Sequence, residues 1–168
     1  MTILNGNFRQ YELDNGLVVA LQNTPTQTIA GKLRVNFGAF HEVEGERGLA
    51  HFLEHCIFTG GSEKYTADQQ EAFFSNLGYL NASTNIGRTS YDTHILSEDL
   101  EQCLDYLSDS VFNPEFDNEK FEGERGRVLR EIADIKSFEN FEQIEEAQKA
   151  FYRGHPKSIF VAGDEKVI

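Results

Sequence analysis

The 168-residue chain is long enough for one hydrophobic core, and no Pro/Gly/Ser-rich linker or low-complexity run divides it. Its 15 Lys and Arg stand against 28 Asp and Glu, a net charge of −13 that argues against a nucleic-acid or anionic-membrane partner. Two cysteines, no recognisable signal peptide and no apolar run of membrane-spanning length give the expectation of a reducing, cytoplasmic setting.

Residues 8–13 and 17–22 alternate in polarity around Asn15-Gly16, which predicts a β-hairpin, and residues 29–37 read as a third strand ended by Gly38. A helix is predicted at 47–58. Thr66 and Gln69 form a capping box for the next helix, Phe73, Phe74 and Leu77 give its apolar face, and Gly78 stops it. Residues 79–86 and 90–96 read as paired strands around Gly87-Arg88. A helix over 98–111 places Leu100, Leu104, Leu107 and Val111 on one stripe, and two more follow at 118–136 and 139–153. Hairpins with segregated helices predict an α+β, two-layer domain with an antiparallel or mixed sheet packed by helices.

The run His51-Phe52-Leu53-Glu54-His55 falls in the first of these helices. One turn separates the two histidines, so both imidazoles can reach one metal ion with Glu54 beside them. On the helical wheel Leu49, Phe52, Leu53, Cys56 and Ile57 share one side, and His51, Glu54 and His55 take the other. H-x-x-E-H is the signature of inverted zinc peptidases. Paired histidines near an acid are also common on ordinary helix surfaces, so a third ligand is needed to separate the two meanings.

Candidates lie in the 118–136 helix, where Phe121, Val128, Ile132 and Ile135 make an apolar stripe that also takes in Glu124 and Glu131. Seven residues apart, the two carboxylates project nearly the same way, off the face shared by Arg127, Arg130 and Asp134. A carboxylate on a burying face needs a partner, and a cation supplies one. The simpler alternative is a broad solvated face.

The segment Gly48-Leu-Ala-His-Phe-Leu-Glu-His-Cys-Ile-Phe-Thr-Gly-Gly61, followed by Glu124-Arg-Gly-Arg-Val-Leu-Arg-Glu-Ile132, resembles the pitrilysin family of zinc metallopeptidases. Leu13-Asp-Asn-Gly-Leu-Val-Val19, Asn81-Ala-Ser-Thr84 and His155-Pro156 extend the likeness over nearly the whole chain. The resemblance implies one zinc ion per chain held by His51, His55 and Glu131, Glu54 as the base and Glu124 as a supporting catalytic carboxylate. It also implies a peptide substrate pairing with the strand at Asn81 and Ala82. Ser83 and Asn85 depart from the family pattern, so side-chain preferences do not carry over. Family members are much longer, and a second homologous domain supplies a group that polarises the scissile carbonyl. Residues 1–168 are therefore expected to be a single, truncated N-terminal catalytic domain whose partner is a C-terminal homologous domain or a partner subunit. An open sheet edge would favour self-association.

On this basis the expected function is zinc-dependent endopeptidase cleavage of peptides or small unfolded proteins. The alternatives are a non-catalytic scaffold or partner subunit of the same fold and, more weakly, a metal-binding interaction module. Cys56, Phe73-Phe74, His41 and His94 are expected to be structural, and the acidic face Glu139, Glu142, Glu145 and Glu146 a solvated helix surface.

Overall fold

The computed structural model describes residues 2–5 and 7–168, with the backbone alone for 2–5; the side chain of Phe74 lies outside the described residues. Strands β1 (Thr2–Asn5), β2 (Phe8–Glu12) and β3 (Val18–Gln22) form an antiparallel sheet in that order. The hairpin turns where Asn15-Gly16 predicts. Gly16 takes a positive φ of 83°, and Asn15 Oδ1 accepts the Leu17 N–H at 3.1 Å. β1 escapes the periodicity because four residues joined through an irregular register carry too little alternation to read.

The second sheet is also antiparallel, in the order β4-β6-β5, from β4 (Thr28–Val35), β5 (Tyr79–Thr84) and β6 (Thr89–Leu96). Among the described residues β5 pairs only with β6, so it is an edge strand. The helices are α1 (Leu49–Ile57), α2 (Ala67–Asn76), α3 (Leu100–Phe112), α4 (Asn118–Lys136) and α5 (Phe141–Phe151). They pack as a layer against antiparallel strands, the α+β architecture expected, though in two three-stranded sheets. No helix is long and apolar enough to cross a membrane among the described residues.

The α2 cap forms as predicted: Thr66 N–H donates to Gln69 Oε1 at 2.9 Å and Gln69 N–H to Thr66 Oγ1 at 3.3 Å. Gly78, at φ 106°, ends the helix.

Two apolar clusters organise the interior. One joins Ile57, Phe58, Leu77, Leu80, Tyr91, Ile95, Cys103, Tyr106 and Leu107, and lies between β5 and β6 and helices α2 and α3. The other joins Phe52, Cys56, Val128, Ile132, Ala162 and Ile168, where α1 crosses α4 and the last residues close over both. That closure depends on glycine: a Cβ on Gly48 would stand 2.8 Å from the Gly163 Cα, and both residues have positive φ.

Three predicted faces need correction. On α1 the buried side is narrower than the wheel suggests: Leu49 and Leu53 are exposed, and His51 is buried at 8% exposure. On α3 the buried stripe runs through Cys103, Tyr106, Leu107 and Ser110, while Leu100 and Leu104 face outward. Small polar Ser110 goes inside because buried Gln70 donates to it at 3.0 Å, an exchange that hydropathy does not register. On α4, Arg127 is not separated from Glu124; it pairs with that carboxylate across one turn.

Candidate metal centre and active site

Helix α1 lacks a capping side chain, since Gly48 occupies its N-cap position. Glu42, buried on the preceding loop, does the work instead. Its carboxylate accepts the Gly48 N–H at 3.0 Å and the Ala50 N–H at 2.7 Å, one residue before His51. Sequence reasoning missed Glu42 because the acid lies six to eight positions from the amides it caps, outside any local capping pattern.

The crossing of α1 and α4 brings His51, His55 and Glu131 together. His51 Nε2 and His55 Nε2 are 3.3 Å apart, His51 Nε2 is 3.6 Å from Glu131 Oε1, and His55 Nε2 is 3.4 Å from Glu131 Oε2. A tetrahedral zinc site with ligand distances of about 2.0–2.1 Å separates its donors by about 3.3 Å. The donor set therefore fits that ion in type and spacing. Three convergent acceptors at this range repel one another unless a cation or extra protons lie between them.

The histidines differ on their far sides. His55 Nδ1 faces Glu124 Oε2 at 3.4 Å, the carboxylate–imidazole arrangement that orients a ligating histidine. Glu124 is 4% exposed and is neutralised by Arg127, so it contacts the imidazole's back and not the side where the three donors meet. His51 Nδ1 is buried without a hydrogen-bond partner among the described residues. Both rings thus turn Nε2 toward Glu131. Contrary to the expected burial, the Glu131 side chain is 43% exposed, because it faces the cleft instead of the α1–α4 core.

Glu54 is half-buried beside this cluster, and the Thr84 hydroxyl on β5 donates to its Oε2. Burial raises the Glu54 pKa above the usual carboxylate range, opposed in part by the Thr84 hydrogen bond and by His51. Asn81 and Ala82 lie on the same strand. They line a cleft of about 480 Å³ together with Glu54, His55 and Phe58. On the other side of Glu54, a second cleft of about 500 Å³ is lined by His51, Glu131, Ala82, Ser83, Phe160 and neighbours. Ala82 borders both, so the free edge of β5 runs from one cleft to the other past Glu54. In the sequence Thr84 reads only as part of the strand, and nothing there marks its partner.

The remaining candidates lie elsewhere. His94 is exposed on β6, and His41 stacks on Phe37 with ring centroids 5.2 Å apart. Cys56 is buried, and burial, with Glu124 nearby, pushes its thiol up to about 12, so it packs as a protonated core residue. Phe73 packs against Tyr106 at 4.6 Å. On α5 the acidic residues are wholly or partly exposed, and Lys149 pairs with Glu145 and Glu146.

The profile of the insulinase family, peptidase family M16, matches residues 17–165. The chain belongs to the peptidase M16 family. Among the relatives of this M16 domain, an uncharacterised zinc protease of Rickettsia bellii is 31% identical over 96% of this chain and 40% of that protein. The uncharacterised zinc protease YmxG of Bacillus subtilis is 30% identical over 95% and 39%. The beta subunit of the mitochondrial-processing peptidase of Neurospora crassa is 37% identical over 93% and 33%. The M16 domain thus spans about two fifths or less of the length of these curated relatives. The fold matches the first half of the periplasmic protease PqqL from Escherichia coli with a TM-score of 0.84, at 21% identity over 96% of this chain and 36% of that one.

Proposed function

We propose that this M16 domain carries the metal site of a zinc metalloendopeptidase that cleaves peptides or small unfolded proteins. The observation that carries the proposal is the convergence of His51, His55 and Glu131 beside Glu54, at the free edge of a strand between two clefts. His51, His55 and Glu131 hold one zinc ion per chain, with Glu124 orienting His55. When bound, zinc supplies Lewis acidity, which acidifies water and polarises a carbonyl oxygen.

The protein's own groups do the rest. Glu54 takes the proton of the attacking water and later gives it to the leaving amine. The edge of β5 at Asn81 and Ala82 offers main-chain donors and acceptors to an extended peptide, so binding tolerates many sequences while fixing the scissile bond near Glu54. The clefts on either side take the flanking side chains. A second homologous domain, covalent or as a partner subunit, completes the site; the greater length of the relatives and the word subunit in one of their names support this part of the proposal.

Glu54→Gln tests it. Assayed with the second domain present and at equal zinc content, the variant keeps its metal and loses turnover of an unstructured peptide by about a hundredfold to ten-thousandfold. Zinc lost along with activity would make Glu54 a structural group, and unchanged turnover would remove it from the chemistry. A zinc-loaded wild-type protein that cleaves nothing would favour the non-catalytic scaffold.

A further inference from the structure

We propose that Thr84 is a positioning residue for Glu54: its hydroxyl fixes the base to the strand edge on which the peptide lies. The proposal rests on Glu54 acting as base.

Thr84 ends β5, and its Oγ1 has three neighbours: Glu54 Oε2, the Ala50 carbonyl at 3.4 Å and Thr89 Oγ1 at 3.3 Å. A hydroxyl has a single proton to donate. The carboxylate is both nearer and the stronger acceptor, so the proton goes to Glu54 and the Ala50 contact is secondary. Thr89 does not compete for the base, since its own hydroxyl donates to the Phe37 carbonyl at 3.1 Å. It is the direct register partner of Thr84 and is buried, which holds the Thr84 side chain in place from across the strand pair.

A glutamate on a helix has considerable rotamer freedom, and a base must sit within hydrogen-bond reach of the proton it removes. Among the described residues no side-chain hydrogen bond from α1 itself supplies that restraint: the preceding turn offers the carbonyl of Ala50, which repels a carboxylate. The restraint comes from β5. Because one strand both pairs with the substrate and anchors the base, a small shift of β5 carries base and scissile bond together and preserves their distance.

The test compares Thr84→Val, which keeps the shape and removes the hydroxyl, with Thr84→Ser, which keeps the hydroxyl. In the zinc-loaded protein with its second domain, Thr84→Val is expected to lower kcat by about tenfold to a hundredfold with KM and zinc content nearly unchanged, as for misplacement of a catalytic group by about 1 Å. Thr84→Ser restores most of kcat. Crystal structures supply a readout independent of turnover: Glu54 stays against β5 in wild type and Thr84→Ser, and leaves it in Thr84→Val. Should valine prevent folding, Thr84→Ala carries the same expectations. Unchanged kcat with Glu54 unmoved in the variant lacking the hydroxyl would overturn the proposal, as would equal losses in Thr84→Val and Thr84→Ser, which would assign the effect to packing. A wild type that cleaves nothing would defeat the peptidase assignment, and the crystallographic comparison would still decide whether Thr84 positions Glu54.

Discussion

Two apolar clusters meet at α1. Phe52 and Cys56 point into the one shared with Val128 and Ile132 of α4, whereas Ile57 and Phe58 point into the one beneath β5 and β6. The proposed metal ligands sit directly on the first: Glu131 neighbours Ile132, and His51 and His55 flank Phe52 and Cys56. No ligand sits on the second, which supports the strand edge and the helices behind it. The first cluster therefore sets the spacing of donors that come from two distant helices, and the second supports the sheet whose free edge is proposed to receive a peptide.

Matched truncations break this comparison most strongly. Ile132→Ala and Leu107→Ala each remove a buried aliphatic side chain, and each is expected to cost about 2–5 kcal/mol of stability. Only Ile132→Ala should also weaken zinc binding measurably, because the space it opens lets α4 shift against α1. Denaturant melts paired with zinc titrations check this. Equal zinc affinity in the two variants would mean that donor spacing does not depend on the α1–α4 packing.

A smaller effect sharpens the other side. Asp109 is buried on α3 behind the strand-side cluster. Burial alone would raise its pKa, but hydrogen bonds from Ser62, the Lys64 N–H at 2.9 Å and Asn113 at 3.1 Å outweigh that and leave it below the ordinary aspartate value. A depressed carboxylate adds stability above its unfolded pKa of about 3.9 and loses it as pH falls through the lower folded value. Asp109→Asn is expected to cost about 1–3 kcal/mol near neutrality. The gap from wild type should then close as pH drops below about 4. Thermal melts across that range check the sign; a gap that widened on acidification would mean Asp109 is protonated in the folded protein.

The parts of the molecule legible in sequence are those whose signals are local. The hairpin at Asn15-Gly16, the Thr66–Gln69 box and the one-turn spacing of His51 and His55 each lie within a few residues, and each forms. Less legible were features set by tertiary partners. Glu42 caps a helix it does not adjoin, Thr84 meets Glu54 across 30 positions, and Leu100 and Leu104 stay outside because Ser110, satisfied by Gln70, takes the buried side. Hydrophobic period also misplaced Glu131: it predicted burial for a carboxylate that the α1–α4 crossing turns into a cleft. The carboxylate's convergence with the histidines is a long-range contact for which the family likeness, and not periodicity, supplied the expectation.

The central claim is that α1 and α4 together hold zinc through His51, His55 and Glu131. Competition of the purified protein against a chelator of known affinity measures it directly, with Glu131→Gln as the comparison. The variant keeps the shape and loses the charged donor, and zinc affinity is expected to fall by about a hundredfold or more, beyond the typical effect of removing an orienting partner alone. Equal zinc affinity in wild type and Glu131→Gln would contradict the account, leaving α4 out of the metal site.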